Sequence, residues 1–296
     1  MAKSASTSEP VFSRDGEGNE TDSSHHHEHH HESGYGESAH VEILPHKEEP
    51  ETKGAILTVR AASGLSGDIM LGGLAALAGL TDKELHDLLA ELHVPALEGC
   101  LTLEPRMVHH IAGIGCRITL PHEHAHRSLE DILKLIEKSA MPDTAKVYSY
   151  TAFSILAEAE ATVHARKMKE VTFHEVGALD SILDICLVCR IFALLHPVRF
   201  VCSPLPLADG MIRCAHGVVP SPAPAVLRML EGVPIQGFSG AGETVTPTAM
   251  ALLKALEASF GPWPSMMVQK TVISYGTKVF ENTLNGAIWA LGRQTF

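Results

Sequence analysis

Apolar and polar positions divide the chain near residue 54. Before that point no helical or strand period runs through the sequence; after it, short apolar runs alternate with stretches of helical period. Ala55 to Ala61 is a continuous apolar run broken only by Thr58 and Arg60, which predicts a buried strand. Ala62 to Asp68 is a turn of small residues, and Ile69 to Leu77 opens a helix. A second helix is predicted over Thr81 to His93. Strands follow at Leu101 to Val108 and Gly113 to Leu120, as a hairpin around His109 and His110. Ser128 caps a helix ending near Ala140, with Asp131 in the third helical position, where a capping box usually has Glu or Gln. Asp143 to Arg166 forms one long amphipathic helix.

The second half repeats this alternation. Val171 to Phe173 is a short strand, Gly177 a break, and Ala178 to Leu195 a helix. Phe200 to Leu205 is a strand ending in a Pro-rich turn, and Met211 to Gly217 is extended. Prolines at 220, 222 and 224 start a helix to Leu230, in the first turn where they are tolerated. Val233 to Phe238 is a strand, Glu243 to Thr248 a turn into a helix over Ala249 to Phe260, and Met267 to Tyr275 and Ala287 to Leu291 are the last strands. There is no internal repeat. The strand–turn–helix order predicts an α/β fold, a mixed β-sheet packed with helices.

Charge sharpens the boundary. Of 296 residues 45% are hydrophobic, and the net charge is -12. Residues 1–53 hold 12 acidic and 4 basic side chains, rich in Ser, Gly, Glu and His, and are expected to be a disordered tail ahead of one domain over 54–296. Within the tail stands His25-His-His-Glu-His-His-His31, a loose site for nickel, copper or zinc. An expression tag is the plain alternative; Glu28, Glu32 and the internal position weigh against it. The acidic balance excludes general nucleic-acid binding. No apolar run approaches the roughly 18 residues of a membrane span, and no apolar leader opens the chain. Six Cys lack a dense disulfide pattern, which fits a reducing compartment, so the protein is expected in the cytoplasm.

Candidate chemistry concentrates in Val171 to Ile185, where His174, Glu175, Asp180 and Asp184 sit among apolar neighbours. Asp180 lies in the first turn of the predicted helix, and Asp184 is one turn on, on the same face. Imidazole and carboxylates at such a junction suit a divalent metal; the plain reading is that Asp180 caps the helix and Asp184 is solvated. The turn Ser63-Gly-Leu-Ser-Gly-Asp68 offers free backbone N–H groups to an anion but lacks the P-loop lysine and the GxGxxG spacing. Asp68 is either a functional carboxylate or a helix-dipole partner. His122, His124 and His126 alternate, as do Cys214 and His216, so in extended chain each set shares one side and suits a metal. Thr246 and Thr248 cap a helix or contact phosphate. Cys186 and Cys189, a C-x-x-C in an apolar helix, are more simply two buried thiols.

Five motifs together carry a resemblance: Ser63-Gly-Leu-Ser-Gly-Asp-Ile-Met70, Phe173-His-Glu-Val-Gly-Ala-Leu-Asp-Ser-Ile-Leu-Asp-Ile185, Ser203-Pro-Leu-Pro-Leu207, Arg213-Cys-Ala-His-Gly217 and Thr246-Pro-Thr248. In this order, from about Gly54 to the C-terminus, the chain resembles the LarC-type nickel insertion proteins. The resemblance implies a lyase-type nickel chelatase, or cyclometallase. It would insert nickel into pyridinium-3,5-bisthiocarboxylic acid mononucleotide, forming nickel–sulfur and nickel–carbon bonds while CTP is consumed. The product is the nickel-pincer cofactor, and a lactate racemase-like enzyme its recipient. The family's His-rich stretch corresponds to His122–His126 or to the tail. Two departures stand out. Arg60-Ala-Ala-Ser63 replaces the Asp and aromatic that usually end the family's first strand. The chain also stops soon after Leu291, so the family's C-terminal domain, which binds CTP with magnesium or manganese, is expected to be missing or supplied by a separate subunit.

The expected site is therefore a set of metal ligands drawn from His174, Glu175, Cys214, His216, His122, His124 and His126. Asp68, Asp180 and Asp184 are the catalytic or orienting carboxylates, and Ser63, Ser66, Thr246 and Thr248 the nucleotide contacts. A nickel store or chaperone without cyclometallase activity is the alternative that the His tract favours. A zinc hydrolase is disfavoured, because no H-E-x-x-H or similar fixed ligand set occurs.

Overall fold

In the computed structural model the described residues are 54–120, 127–173, 178–214, 217–240, 242–278 and 283–294. The tail of residues 1–53, the stretch 121–126, and residues 174–177 and 215–216 lie outside them. β1 (Ala55–Ala61) leads into α1 (Gly67–Ala78) and α2 (Asp82–Ala90). A hairpin of β2 (Leu101–Val108) and β3 (Ile111–Ile118) follows, then β4 (Arg127–Ser128), α3 (Leu129–Lys138), α4 (Asp143–Val163) and β5 (Thr172–Phe173). Next come α5 (Leu179–Leu195), β6 (Arg199–Cys202), β7 (Leu205–Ala208), β8 (Met211–Cys214) and β9 (Gly217–Pro220). The described elements end with α6 (Pro224–Met229), β10 (Ile235–Phe238), α7 (Pro247–Ala255), β11 (Ser259–Phe260), β12 (Met267–Tyr275) and β13 (Gly286–Arg293).

Seven strands form one mixed sheet in the order β11-β6-β1-β13-β12-β3-β2. β1, β6 and β11 are parallel, β13 runs against both β1 and β12, and β3 is parallel to β12. Five strands thus point one way, with β13 and β2 opposed. This is the α/β mixed sheet with packed helices that the strand–turn–helix order predicts. Three two-stranded pairings, β4–β5, β7–β10 and β8–β9, sit outside it.

The helices stack outward from α1, which lies against β3, β12 and β13 on one side and α5 on the other. α5 in turn packs on α4, so it is buried nearly all round, which is why its sequence is apolar on every face. Cys186 and Cys189 are buried there as core thiols, as their apolar setting predicts; burial pushes the Cys186 thiol up to about 12. α1 comes close to the sheet because it carries Gly72 and Gly73 on that side. A Cβ at Gly73 would stand 2.2 Å from Trp289 Nε1. The buried Trp289 Nε1 donates to Ser274 Oγ at 2.8 Å, and that hydroxyl donates to the Ile69 carbonyl at 2.8 Å. The chain tying α1 to β12 and β13 is therefore both packed and hydrogen-bonded.

Most predicted elements are present, with three corrections. The strand expected over Phe200 to Leu205 is two: β6 stays in the main sheet, while from Leu205 the chain pairs with β10. Pro204 and Pro206 lack the N–H groups that would continue one ladder. The helix expected to reach Phe260 ends at Ala255. Glu257 adopts a left-handed conformation, φ 52°, and Ser259–Phe260 join the sheet edge as β11. Met211 to Gly217 is no single extended run: β8 ends at Cys214 and returns from Gly217 as β9, with Cys214 paired to Gly217.

Candidate functional site

The turn after β1 is fixed by a partner far along the chain. Leu65 N–H donates to the Thr244 carbonyl at 2.8 Å, and Thr246 N–H to the Leu65 carbonyl at 3.1 Å. Gly64 permits this approach, since a Cβ there would fall 2.2 Å from the Thr244 oxygen. The short bridge sets the starts of α1 and α7 side by side. The start of α5 joins them, because α5 packs along α1. Three helix N-termini, at Ser66–Gly67, Ala178–Leu179 and Thr246–Pro247, line one cleft of about 950 Å³. Residues after β1, β3 and β12 line it too, so it opens at the carboxyl ends of strands that run one way, a common place for ligands in open α/β sheets.

The cleft has an acidic floor and a mixed rim. Asp68, in the first turn of α1, accepts a hydrogen bond from the Ser66 hydroxyl. Asp180, in the first turn of α5, accepts from its neighbour's backbone, Ser181 N–H, at 2.7 Å. Asp184, in the next turn, lies against Gly67; its Oδ1 is buried and meets no hydrogen-bond partner among the described residues. Burial first, then Asp68 and Asp180, push its carboxyl well above the usual carboxylate range. Cys116 of β3 lies under the same floor. Burial, Asp184 and Asp68 push its thiol up, against the opposing Arg106. Lys278, three residues past β12, donates to the Glu243 carbonyl at 3.0 Å; burial lowers its ammonium pKa and Glu243 opposes that.

The structure brings Ser66, Asp68, Asp180, Asp184, Cys214, Thr246 and Thr248 to this one cleft. Thr246 Oγ1 accepts from Ala249 N–H at 3.3 Å and so caps α7. Ser63 is fully buried, its hydroxyl donated to the Leu284 carbonyl, and is not part of the lining. Arg60 turns from the cleft toward the β11 side, donating to the Gly261 carbonyl at 2.7 Å beneath Trp263. His122, His124, His126, His174, Glu175 and His216 lie outside the described residues. Among the described residues no three His, Cys, Asp or Glu side chains close on one metal position.

Lys278, Arg213 and Glu243 also line the cleft and were not among the expected site residues. The one sequence cue to Lys278 is Gly276-Thr-Lys278 following directly on a predicted strand. No helix among the described residues is long and apolar enough to cross a membrane.

Comparison with known proteins converges on one group. The family model described as nickel insertion protein matches residues 57–293. A relative from Myxococcus xanthus (strain DK1622), also named for nickel insertion, is 39% identical over 241 residues, 80% of this chain and 60% of its own length. The pyridinium-3,5-bisthiocarboxylic acid mononucleotide nickel insertion protein of Staphylococcus epidermidis (strain ATCC 12228 / FDA PCI 1200) is 36% identical over 219 residues, 74% of this chain and 55% of its own length. The protein of that name in Staphylococcus saprophyticus is 35% identical over 230 residues, 78% of this chain and 58% of its own. The chain thus spans between about half and two thirds of these relatives. No solved structure matches it.

Proposed function

The chain belongs to the nickel insertion protein family, and from that premise we propose that it inserts nickel into pyridinium-3,5-bisthiocarboxylic acid mononucleotide, the compound that names its staphylococcal relatives. The observation that carries the reading is convergence: residues of four family-like motifs, from Ser66–Asp68, Asp180–Asp184, Arg213–Cys214 and Thr246–Thr248, line one cleft. Its volume of about 950 Å³ lies at the upper end of small-molecule sites and accommodates a mononucleotide.

In this reading nickel is a substrate. Cys214 supplies a thiolate, and His174, Glu175 and His216 complete a borderline-soft ligand set, with His122, His124 and His126 as the delivery or reserve site. The α7 start, with Thr246, Thr248 and Lys278, receives the phosphate of the nucleotide, since the Thr248 N–H, the positive end of the helix and a cation favour an anion there. Ser66 and Asp68 border the ring, and Asp180 and Asp184 orient it. The activity would be that of a cyclometallase consuming CTP with magnesium or manganese through a separate C-terminal domain. The nickel-pincer product would pass to a lactate racemase-like enzyme. The His-rich tract favours a second reading, a nickel store or chaperone without this chemistry.

Incubating the chain with nickel, CTP and the nucleotide, with and without a polypeptide supplying the CTP domain, separates the two readings. Mass spectrometry is expected to show the nickel adduct with the added domain. Nickel uptake with no adduct under either condition would leave only the store. His174→Ala is expected to abolish the tight nickel site and Cys214→Ser to remove sulfur-to-nickel charge-transfer absorption. Asp180→Asn, an outer-shell change, should weaken the site by about 10–100-fold without altering stoichiometry. If His174→Ala binds nickel as tightly as wild type, the ligands lie instead at His122, His124 and His126.

A further inference from the structure

The geometry points to another metal position in the same cleft, a site for a hard divalent cation of the magnesium or manganese type, held by the carboxylates of Asp68 and Asp184. It stands apart from the proposed nickel ligands and does not depend on the identity of the nucleotide. Its starting point is the unpartnered oxygen. Asp184 Oδ1 is buried from solvent, yet no donor among the described residues reaches it. Buried carboxylate oxygens are almost always hydrogen-bonded or metal-bound, because leaving one bare is costly. Among the described residues, the other charged groups that act on Asp184 and Cys116 at this floor are Asp68, Asp180 and, across Cys116, Arg106. Arg106 is engaged elsewhere: its Nη1 donates to the Gly276 carbonyl at 2.6 Å, and its Nη2 stands 3.7 Å from Glu104.

Glycines from two different elements lie against the two carboxylates. A Cβ at Gly67 would stand 2.2 Å from Asp184 Oδ2 and 2.9 Å from the Asp184 Cβ, so no other residue fits there without displacing the carboxylate. At Gly276, beyond β12, a Cβ would stand 3.5 Å from Asp68 Oδ2. Asp68 Oδ1 is taken by the Ser66 hydroxyl, which orients the group and leaves Oδ2 on the Gly276 side.

The donor set selects the metal class. Two carboxylates without imidazole or thiolate suit a hard cation better than nickel. Two protein ligands are also what magnesium-type ions commonly accept, the remaining positions being water or phosphate oxygen. That matches a cleft in which no three ligand side chains close on one position among the described residues. The start of α7 and Lys278, on the same cleft, give a phosphate a place to reach such an ion.

The test is manganese binding to the full chain, followed by electron paramagnetic resonance, with magnesium as competitor. Magnesium displaces manganese from carboxylates but not from the imidazoles of the His tract. One magnesium-displaceable site is expected. Asp184→Asn and Asp68→Asn should each weaken it by more than about 10-fold, since a lost ligand outweighs a lost outer-shell partner. Cys214→Ser should leave it unchanged. Circular dichroism checks that each variant is folded, and Asp68→Asn, in the first turn of α1, keeps the test open if Asp184→Asn is not. Absence of a magnesium-displaceable site, or equal binding by wild type and a folded aspartate variant, would overturn the assignment.

Discussion

Asp184→Asn is expected to fold more stably than the wild-type chain at neutral pH in metal-free buffer, and to lose that advantage in acid. The carboxyl of Asp184 is pushed above its ordinary 3.8, chiefly by burial and then by Asp68 and Asp180. Below 3.8 the group is protonated in both the folded and the unfolded chain, so it contributes no pH dependence. Above 3.8 the unfolded chain releases the proton while the folded chain keeps it. The folded state then binds more protons, and stability falls as pH rises until the folded carboxyl ionises. The slope is about 1.4 kcal/mol for each pH unit in that window, and asparagine is exempt from it. Urea unfolding of the two proteins from pH 3 to pH 7, in EDTA, reads the difference directly. Curves that stay parallel across the range would mean that Asp184 ionises in the folded chain as it does in water. A group held against stability in this way is the mark of a site kept for its chemistry.

What made Asp184 hard to read from sequence is that its burial is supplied by another helix. In the chain it is one turn beyond Asp180 on a helical face, where a solvated carboxylate is the plain expectation. Only the glycine at 67, brought alongside by α1, shows that this face looks inward. Elements set by local rules were legible. The hairpin turns at His109 and His110, where both residues adopt positive φ, and α3 starts at a capping box in which Ser128 and Asp131 bond reciprocally. The end of α7 was not legible, because Glu257 takes the left-handed position that glycine usually marks. The division between β6 and β7 follows from pairing with β10, some thirty residues later, which no window on the apolar run Phe200 to Leu205 contains. Lys278 likewise joins Thr246 and Asp68 only through the sheet, since nothing local links the end of β12 to two helix starts.

Gly73→Ala is expected to destabilise the domain strongly, although alanine is the better helix former by about 1 kcal/mol. The new methyl would stand 2.2 Å from Trp289 Nε1, 2.4 Å from Cε2 and 2.6 Å from Cδ1. None of these is the tip of a flexible chain. Trp289 is fully buried in the middle of β13, and its indole N–H is held by Ser274. Either α1 lifts from the sheet or the indole leaves its place, and overpacking of this kind costs about 1–3 kcal/mol, sometimes more. Lifting α1 also moves the start of the helix, which carries Ser66 and Asp68 into the cleft, so ligand binding should weaken together with stability. Trp289→Leu removes the clashing ring at the cost of a cavity, so the two substitutions should couple: the double variant loses less than the sum of the singles. A double-mutant cycle by urea unfolding measures that coupling. Additive losses would show that α1 does not approach β13 through Gly73, and the position of Asp68 against Asp184 would then need another support.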